Sequence, residues 1–82
     1  MLRVTVGNNL KRNVVLIDEN TTLKACLEEA QIDLSRGIIH LDSAPVEAGG
    51  LNKTFAELGY DGTPGKDKAF LLSVTKADNA HN

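Results

Sequence analysis

One short segment, residues 21–30 (TTLKACLEEA), is the only amphipathic helix that the sequence predicts. Its apolar residues are spaced i, i+3, i+4 and i+7, which puts them on one side of a helix: Leu23, Cys26, Leu27 and Ala30. Asn20, Thr21 and Thr22 can accept hydrogen bonds from amides of the first turn. The other apolar segments are typical of short strands, so only a sheet is available to cover the helix. We therefore expect an α+β fold.

The size and charge of the chain exclude several classes of protein. Its 82 residues are enough for one small domain, and a net charge of −2 argues against nucleic-acid binding, which needs a basic surface. No apolar run reaches about eighteen residues, and the N-terminal MLRVTV is unlike a signal peptide. The single cysteine cannot form an internal disulfide. We expect a cytoplasmic protein without a nucleic-acid or membrane partner.

Four strands and a short helical turn are predicted around the helix. The predicted strands are residues 2–6, 13–18, 38–41 and 69–75. The turn Gly7-Asn8-Asn9 joins the first two, and Gly49-Gly50 marks another turn. Residues 54–60 predict a one-turn helix with Thr54 as its cap and Gly59 as its end. Because two strands, a helix and a strand follow one another, we expect the first and third strands to be neighbours.

The alternation of side chains along each strand predicts which of them face the helix. The predicted inward residues are Leu2, Val4, Val6, Val15, Ile17, Phe70, Leu72 and Val74. The predicted outward residues are Val14, Leu16, Ile38, His40, Leu71 and Ser73. Four of these six outward residues are apolar, which is unusual for a face that is expected to meet water.

The order of these elements resembles the ubiquitin-like β-grasp fold over about residues 1–75. Thr22-Leu23 and Cys26 match the start and the inner face of the helix in that family. Residues 54–62 are similar to the family signature of threonine, hydrophobe, any residue, acidic residue, hydrophobe, glycine or asparagine, and hydrophobe. The resemblance implies a mixed four-stranded sheet with the second and third strands at its edges. It gives a domain of residues 1–76, and residues 77–82 are predicted to be a disordered polar tail.

Two features depart from that family. Its conjugated members and sulfur carriers act through a C-terminal Gly-Gly, whereas this sequence ends Ala80-His81-Asn82 and its Gly49-Gly50 precedes the predicted last strand. We therefore do not expect conjugation through a glycine tail. The family also binds partners through an apolar patch on the outer sheet face, but His40 and Ser73, which we place at matching positions, are polar. Partners of that patch are not expected to recognise this protein in the same way.

The sequence predicts no enzyme, and no catalytic, cofactor or metal site. Cys26 lies on the predicted buried side of the helix, where cysteine acts as a small hydrophobic residue rather than a nucleophile. His40 is an outward strand residue and His81 belongs to the tail, so the two do not form a metal site. Residues 61–65 lack the GxxxxGK[ST] pattern of a phosphate-binding loop.

Val14 and Leu16 stand out, because adjacent apolar side chains on an edge strand promote aggregation unless something covers them. Three interpretations of this surface remain open. It is a partly covered face without function, it is the binding site for a protein partner or a second copy of the chain, or the predicted register of the strand is wrong. The six candidate partner-binding residues are Val14, Leu16, Ile38, His40, Leu71 and Ser73.

The function that we expect is that of a small cytoplasmic ubiquitin-like protein that binds a protein partner non-covalently. One alternative is a protein modifier or sulfur carrier, which an adenylating enzyme would activate after its tail had been processed. A second alternative is a small subunit of a secretion or mobile-element assembly, as small ubiquitin-like proteins are in bacteria. Binding to an adenylating enzyme would favour the first alternative, and co-purification with a large complex would favour the second.

Overall fold

The computed structural model describes residues 1–8, 10–35 and 37–75. The strands are β1 (Leu2–Asn8), β2 (Arg12–Ile17), β3 (Gly37–Leu41), β4 (Ala44–Pro45) and β5 (Lys68–Thr75), and the helix is α1 (Leu23–Glu29). Two short 3₁₀-helices, η1 (Ala48–Asn52) and η2 (Ala56–Leu58), lie between β4 and β5. The tail predicted at residues 77–82 lies outside the described residues.

The strands form one mixed sheet in the order β2-β1-β5-β3-β4. β1 is antiparallel to β2 and parallel to β5, and β5 is antiparallel to β3. The predicted α+β class is confirmed, and β2 is an edge strand as expected. The prediction that the first and third strands are neighbours is wrong, because β5 lies between them. β4 is absent from the four predicted strands. It pairs with His40 and Leu41 at the end of β3, so this part of β3 is not the free sheet edge that was expected.

Helix α1 packs on one face of this sheet and is shorter than predicted. Thr22 is its N-cap, since the Thr22 Oγ1 accepts a hydrogen bond from Ala25 N at 3.1 Å. Leu23, Cys26 and Leu27 are buried, as their spacing predicts. Together with the inward residues of the strands they form one hydrophobic core. The buried members from the rest of the chain are Leu2, Val4, Val6, Ile17, Ile39, Phe55, Ala69 and Leu71.

A reciprocal pair of hydrogen bonds fixes the start of η2. Glu57 N donates to Thr54 Oγ1 at 3.1 Å, and Thr54 N donates to Glu57 Oε1 at 3.0 Å. This is a capping box, and the intervening Phe55 is fully buried. Gly59 adopts a φ of 98° at the C-terminal end of η2, so the predicted end is confirmed. The predicted cap, Thr54, accepts a hydrogen bond from Glu57 N, although Phe55 occupies the N-cap position of η2. Gly49-Gly50, predicted as a turn, lies instead within η1.

The side chains of β5 face the opposite way to the prediction. Ala69, Leu71 and Ser73 are buried on the side of α1. Phe70, Leu72 and Val74 lie on the outer face. The cause is the parallel pairing with β1, which sets Leu71 beside the inward Val6. Residues 69–72 are an unbroken apolar run, so the local sequence is compatible with either orientation and the neighbouring strand decides between them.

Candidate protein-binding surface

The face of the sheet opposite α1 carries exposed apolar side chains from three strands. The exposed fractions are 60% for Val14, 64% for Leu16, 45% for Ile38 and 49% for Phe70. Single exposed apolar residues are ordinary, but several on one face indicate an interaction surface. The outer face of this sheet is therefore the main candidate for a functional site.

The outward residues of β1 divide this face into two parts. Thr5 pairs with Val14 on one side and with Phe70 on the other, so a full strand separates the two apolar groups. We call the first group, Ile38, His40, Phe70, Leu72 and Val74, the β3–β5 patch. We call the second group, Arg12, Val14 and Leu16, the β2 edge.

The β3–β5 patch is formed by two antiparallel strands in register. His40 pairs with Leu72, and Ile38 pairs with Val74, so that directly opposite side chains lie within contact distance. An open depression of about 550 Å³ lies beside these pairs. Its lining residues are Arg12, His40, Asp42, Ser43, Phe70, Leu72 and Val74. An apolar centre with charged and polar groups around it is the usual composition of a protein-binding surface.

The turn between β3 and β4 fixes one side of the depression. Asp42 and Ser43 both have positive φ values, 49° and 73°, as the two central residues of a tight hairpin turn require. The Asp42 carboxylate accepts hydrogen bonds from Phe70 N at 2.8 Å and from the Tyr60 hydroxyl. Burial, together with the Asp42 carboxylate, raises the pKa of Tyr60 to about 12. The Tyr60 hydroxyl therefore stays protonated and remains a donor at neutral pH.

His40 is the only titratable member of the β3–β5 patch. Its side chain is half-buried, and its Nδ1 atom lies 3.0 Å from the carbonyl oxygen of Ile38. Nδ1 donates to that oxygen when it carries the proton, which leaves Nε2 available to a ligand. Within residues 1–8, 10–35 and 37–75, no three His, Cys, Asp or Glu side chains are placed to hold a metal ion.

Two of the six predicted partner-binding residues do not lie on the outer face. Leu71 is fully buried and Ser73 is nearly so, because the pairing of β5 with β1 turns both toward α1. Val14, Leu16, Ile38 and His40 have the predicted outward orientation.

The sequence reasoning missed three outer-face residues of β5: Phe70, Leu72 and Val74. Leu71 and the polar Ser73 were expected at the outer positions of this strand, whereas all three residues found there are apolar. No local signal identifies them, because the polar Ser73 itself favours the opposite orientation. Only the parallel pairing of β5 with β1, in which Asn8 is the partner of Ser73, decides it.

Cys26 was correctly predicted to be buried. Its side chain is only 2% exposed, and this burial, with a smaller effect of the Glu29 carboxylate, raises the pKa of its thiol to about 11. At neutral pH the thiol is almost wholly protonated, and the reactive thiolate is scarce. Cys26 therefore contributes to packing, and its chemical reactivity in the folded protein is low.

In the described part of the chain, no helix has both the length and the apolar composition needed to cross a membrane. Comparison of the chain with protein-family models, with curated proteins and with solved structures gave no match.

Proposed function

We propose that the protein is a small non-covalent protein-interaction module of the ubiquitin-like β-grasp type, and that it binds a partner protein through the β3–β5 patch. The order β2-β1-β5-β3 of the four longer strands, with one helix on one face, supports this fold type. β4 is an addition of only two residues at the far edge.

The observation that carries the functional proposal is the exposed Phe70 on a central strand. Phe70 is about half exposed although its strand is paired on both sides, and apolar Leu72 and Val74 continue the same face. Large aromatic side chains at the centre of an apolar patch often dominate the binding energy of an interface. Burying a phenylalanine fully stabilises a complex by about 1.5–3 kcal/mol, and the half of Phe70 that is still exposed remains available for that gain.

The position of the glycine pair does not favour the alternative of a protein modifier. Gly49 and Gly50 lie within η1, and β5 follows them in the chain. A chain that ended at Gly50 would lack this central strand, together with Phe55 and Leu71 of the core. A fold without them could not remain intact to present a glycine terminus.

The test compares two variants that place the same charge on an exposed apolar residue. Phe70→Glu changes the aromatic residue at the hairpin end of the β3–β5 patch, and Leu10→Glu changes a residue that is 95% exposed in the turn between β1 and β2. A partner is first captured with the wild-type protein from the native host and then purified. Isothermal titration should give at least a tenfold weaker affinity for Phe70→Glu and an unchanged affinity for Leu10→Glu. Equal affinities, with both variants unfolding cooperatively, would contradict the proposal.

A further inference from the structure

We propose that the protein forms a twofold-symmetric dimer in which the β2 strands of two copies pair antiparallel to each other, centred on Val15. This inference goes beyond the proposed function, because it uses the β2 edge and none of the five residues of the β3–β5 patch. Arg12 is the one residue of the β2 edge that also lines the depression beside that patch. It depends on three features of β2: free backbone groups, opposite charges at its two ends, and a register that satisfies both.

The hairpin determines which backbone groups of β2 are free. Asn8 and Lys11 are a hydrogen-bonded pair, because Asn8 N donates to Lys11 O at 2.9 Å. Along an antiparallel ladder such pairs alternate with non-bonded pairs, whose N–H and C=O groups point away from the partner strand. The residues that follow at alternate positions, Arg12, Val14 and Leu16, therefore direct their N–H and C=O groups away from β1. β2 ends the sheet, and no strand in the described part of the chain pairs with this side of it. Such an edge is a template for another strand.

Opposite charges stand at the two ends of this strand. Lys11 and Arg12 precede its apolar residues, and Asp18 and Glu19 follow them. In an antiparallel pairing centred on Val15, Lys11 therefore lies opposite Glu19 of the second copy. Arg12 lies opposite Asp18 of the second copy. A parallel copy would instead bring like charges together. The edge is complementary in charge to an antiparallel copy of itself, and this singles out a second copy of the chain as its occupant.

The backbone and the side chains favour the same register. Hydrogen-bonded pairs require free groups on both residues, so residues 12, 14 and 16 pair among themselves or with the N–H of Asp18. The Asp18 carbonyl oxygen already accepts a hydrogen bond from Thr21 N at 3.0 Å. When the twofold axis passes through Val15, Val14 pairs with Leu16 of the second copy and Arg12 pairs with Asp18 of the second copy. The symmetry makes each of these pairs occur twice in the dimer. Centring on Val14 would pair Arg12 with Leu16 and leave the Arg12 charge without an anion.

The side chains are also free to meet. Val14 and Leu16 are 60% and 64% exposed, and Arg12 and Asp18 are exposed as well. One carboxylate oxygen of Asp18 accepts a hydrogen bond from Asn20 N at 2.7 Å. Arg12 Nε donates to Asn8 O at 3.4 Å, so the two terminal nitrogens of its guanidinium are the ones that can donate to the second Asp18 oxygen. The two apolar pairs then lie between two ion pairs.

The first test uses charge reversal and mixing, followed by sedimentation velocity over about 10 μM to 1 mM protein. The wild type should approach twice the 8.8 kDa mass of one chain as its concentration rises. Arg12→Glu and Asp18→Arg should each weaken self-association at least tenfold, because each creates two like-charge pairs. An equimolar mixture of the two variants should recover the wild-type affinity to within about threefold, since all pairs are then opposite in charge. Lys24→Glu makes the same change of charge at an exposed position of α1 and should leave the affinity unchanged.

The second test does not depend on the charged residues. Val15 meets its own counterpart in a non-bonded pair, where Cα atoms are about 4.5 Å apart, a separation that a disulfide can span. In a Cys26→Ala background, Val15→Cys should form a disulfide-linked dimer in mild oxidant. Asn13→Cys should not, because Asn13 meets Ile17 of the second copy.

Three results would overturn the proposal. The first is a wild-type protein that remains monomeric throughout the concentration series. The second is a dimer that neither reversal weakens, or that the mixture fails to restore, while the variants still unfold cooperatively. The third is equal cross-linking of the Val15→Cys and Asn13→Cys variants. Loss of binding through the β3–β5 patch would not affect these measurements, so failure of the proposed function is distinguishable from failure of the dimer.

Discussion

Asp42 and Phe70 are joined by two hydrogen bonds, both 2.8 Å long. Asp42 N donates to Phe70 O, and Phe70 N donates to the Asp42 carboxylate. β3 ends at Leu41, so Asp42 and Phe70 would be the next residue pair of the ladder between β3 and β5. The side chain of Asp42 accepts the second hydrogen bond of this pair in place of its backbone carbonyl oxygen. This contact fixes the backbone of Phe70 beside the hairpin turn and defines one side of the depression on the outer face.

Removing the Asp42 carboxylate should destabilise the protein more than neutralising it. Asp42→Gly keeps the positive φ without strain but leaves Phe70 N and the Tyr60 hydroxyl without their acceptor. We expect a loss of about 1–3 kcal/mol in the free energy of unfolding. Asp42→Asn retains one acceptor oxygen and should lose less. Urea denaturation of both variants checks this order, and an Asp42→Gly variant as stable as the wild type would show that the carboxylate is not essential to the turn.

The titration of Tyr60 should reveal its contact with Asp42. The sequence contains one tyrosine, so the absorbance change near 295 nm belongs to Tyr60 alone. The pKa of Tyr60 is raised to about 12 in the folded protein, from about 10 in an unfolded chain. Tyr60 therefore keeps its proton to a higher pH in the folded state. This contribution to stability is complete below pH 10 and is lost as the pH rises from about 10 to 12.

The measurement compares native protein with protein in guanidinium chloride. Native Tyr60 should ionise well above the midpoint of the denatured sample. Asp42→Asn should lower the native midpoint, since it removes a negative charge beside the hydroxyl. Coincident titration curves for the native and denatured wild type would contradict the contact.

Cys26 should be almost unreactive in the folded protein. Its thiol is buried and its pKa is raised to about 11, so a soluble disulfide reagent should label it slowly in buffer and quickly in denaturant. Cys26→Ala should cost about 1 kcal/mol in the free energy of unfolding. Cys26→Asp should cost several times as much, because it buries an unpaired charge. Rapid labelling of the native protein would show that this side of α1 is open to solvent.

The capping box of η2 should make the protein sensitive to acid. Hydrogen bonds from Thr54 hold the pKa of Glu57 below its usual range. The stability that follows is present above the pKa of an unfolded glutamate and is lost as the pH falls through the lower, folded value. Glu57→Gln keeps a side-chain acceptor without ionising. Its melting temperature should therefore fall less than that of the wild type between pH 5 and pH 3.

Thr54→Ala removes the other half of the capping box. The loss of the Thr54 hydroxyl leaves Glu57 N without its acceptor, which should cost about 0.5–2 kcal/mol in the free energy of unfolding. Thr21→Ala, at a half-buried threonine outside this box, serves as a control. Equal effects of the two substitutions in a thermal melt would show that the cap does not stabilise η2.

Elements whose structure depends on neighbours in sequence were predictable. The spacing of Leu23, Cys26 and Leu27 gave the buried side of α1, and Thr54 at the start of the predicted one-turn helix gave the hydroxyl that caps η2. Alternation of apolar and polar residues gave the inward face of β1. These features need only a few residues of context, since helical and strand periodicities repeat within two to four positions.

The residues of the candidate site were determined by pairings between distant parts of the chain. Thr5 lies beside Phe70, and Ile38 beside Val74, although tens of residues separate each pair in the sequence. The apolar run at residues 69–72 has no alternation, so its orientation was set only by pairing with β1, and the outer face became apolar as a result. The sequence alone determined the helix, the four longer strands and the outward Val14 and Leu16. The tertiary structure decided which strands are neighbours and which side chains of β5 face solvent, because a shift of one residue in register exchanges the two faces of a strand.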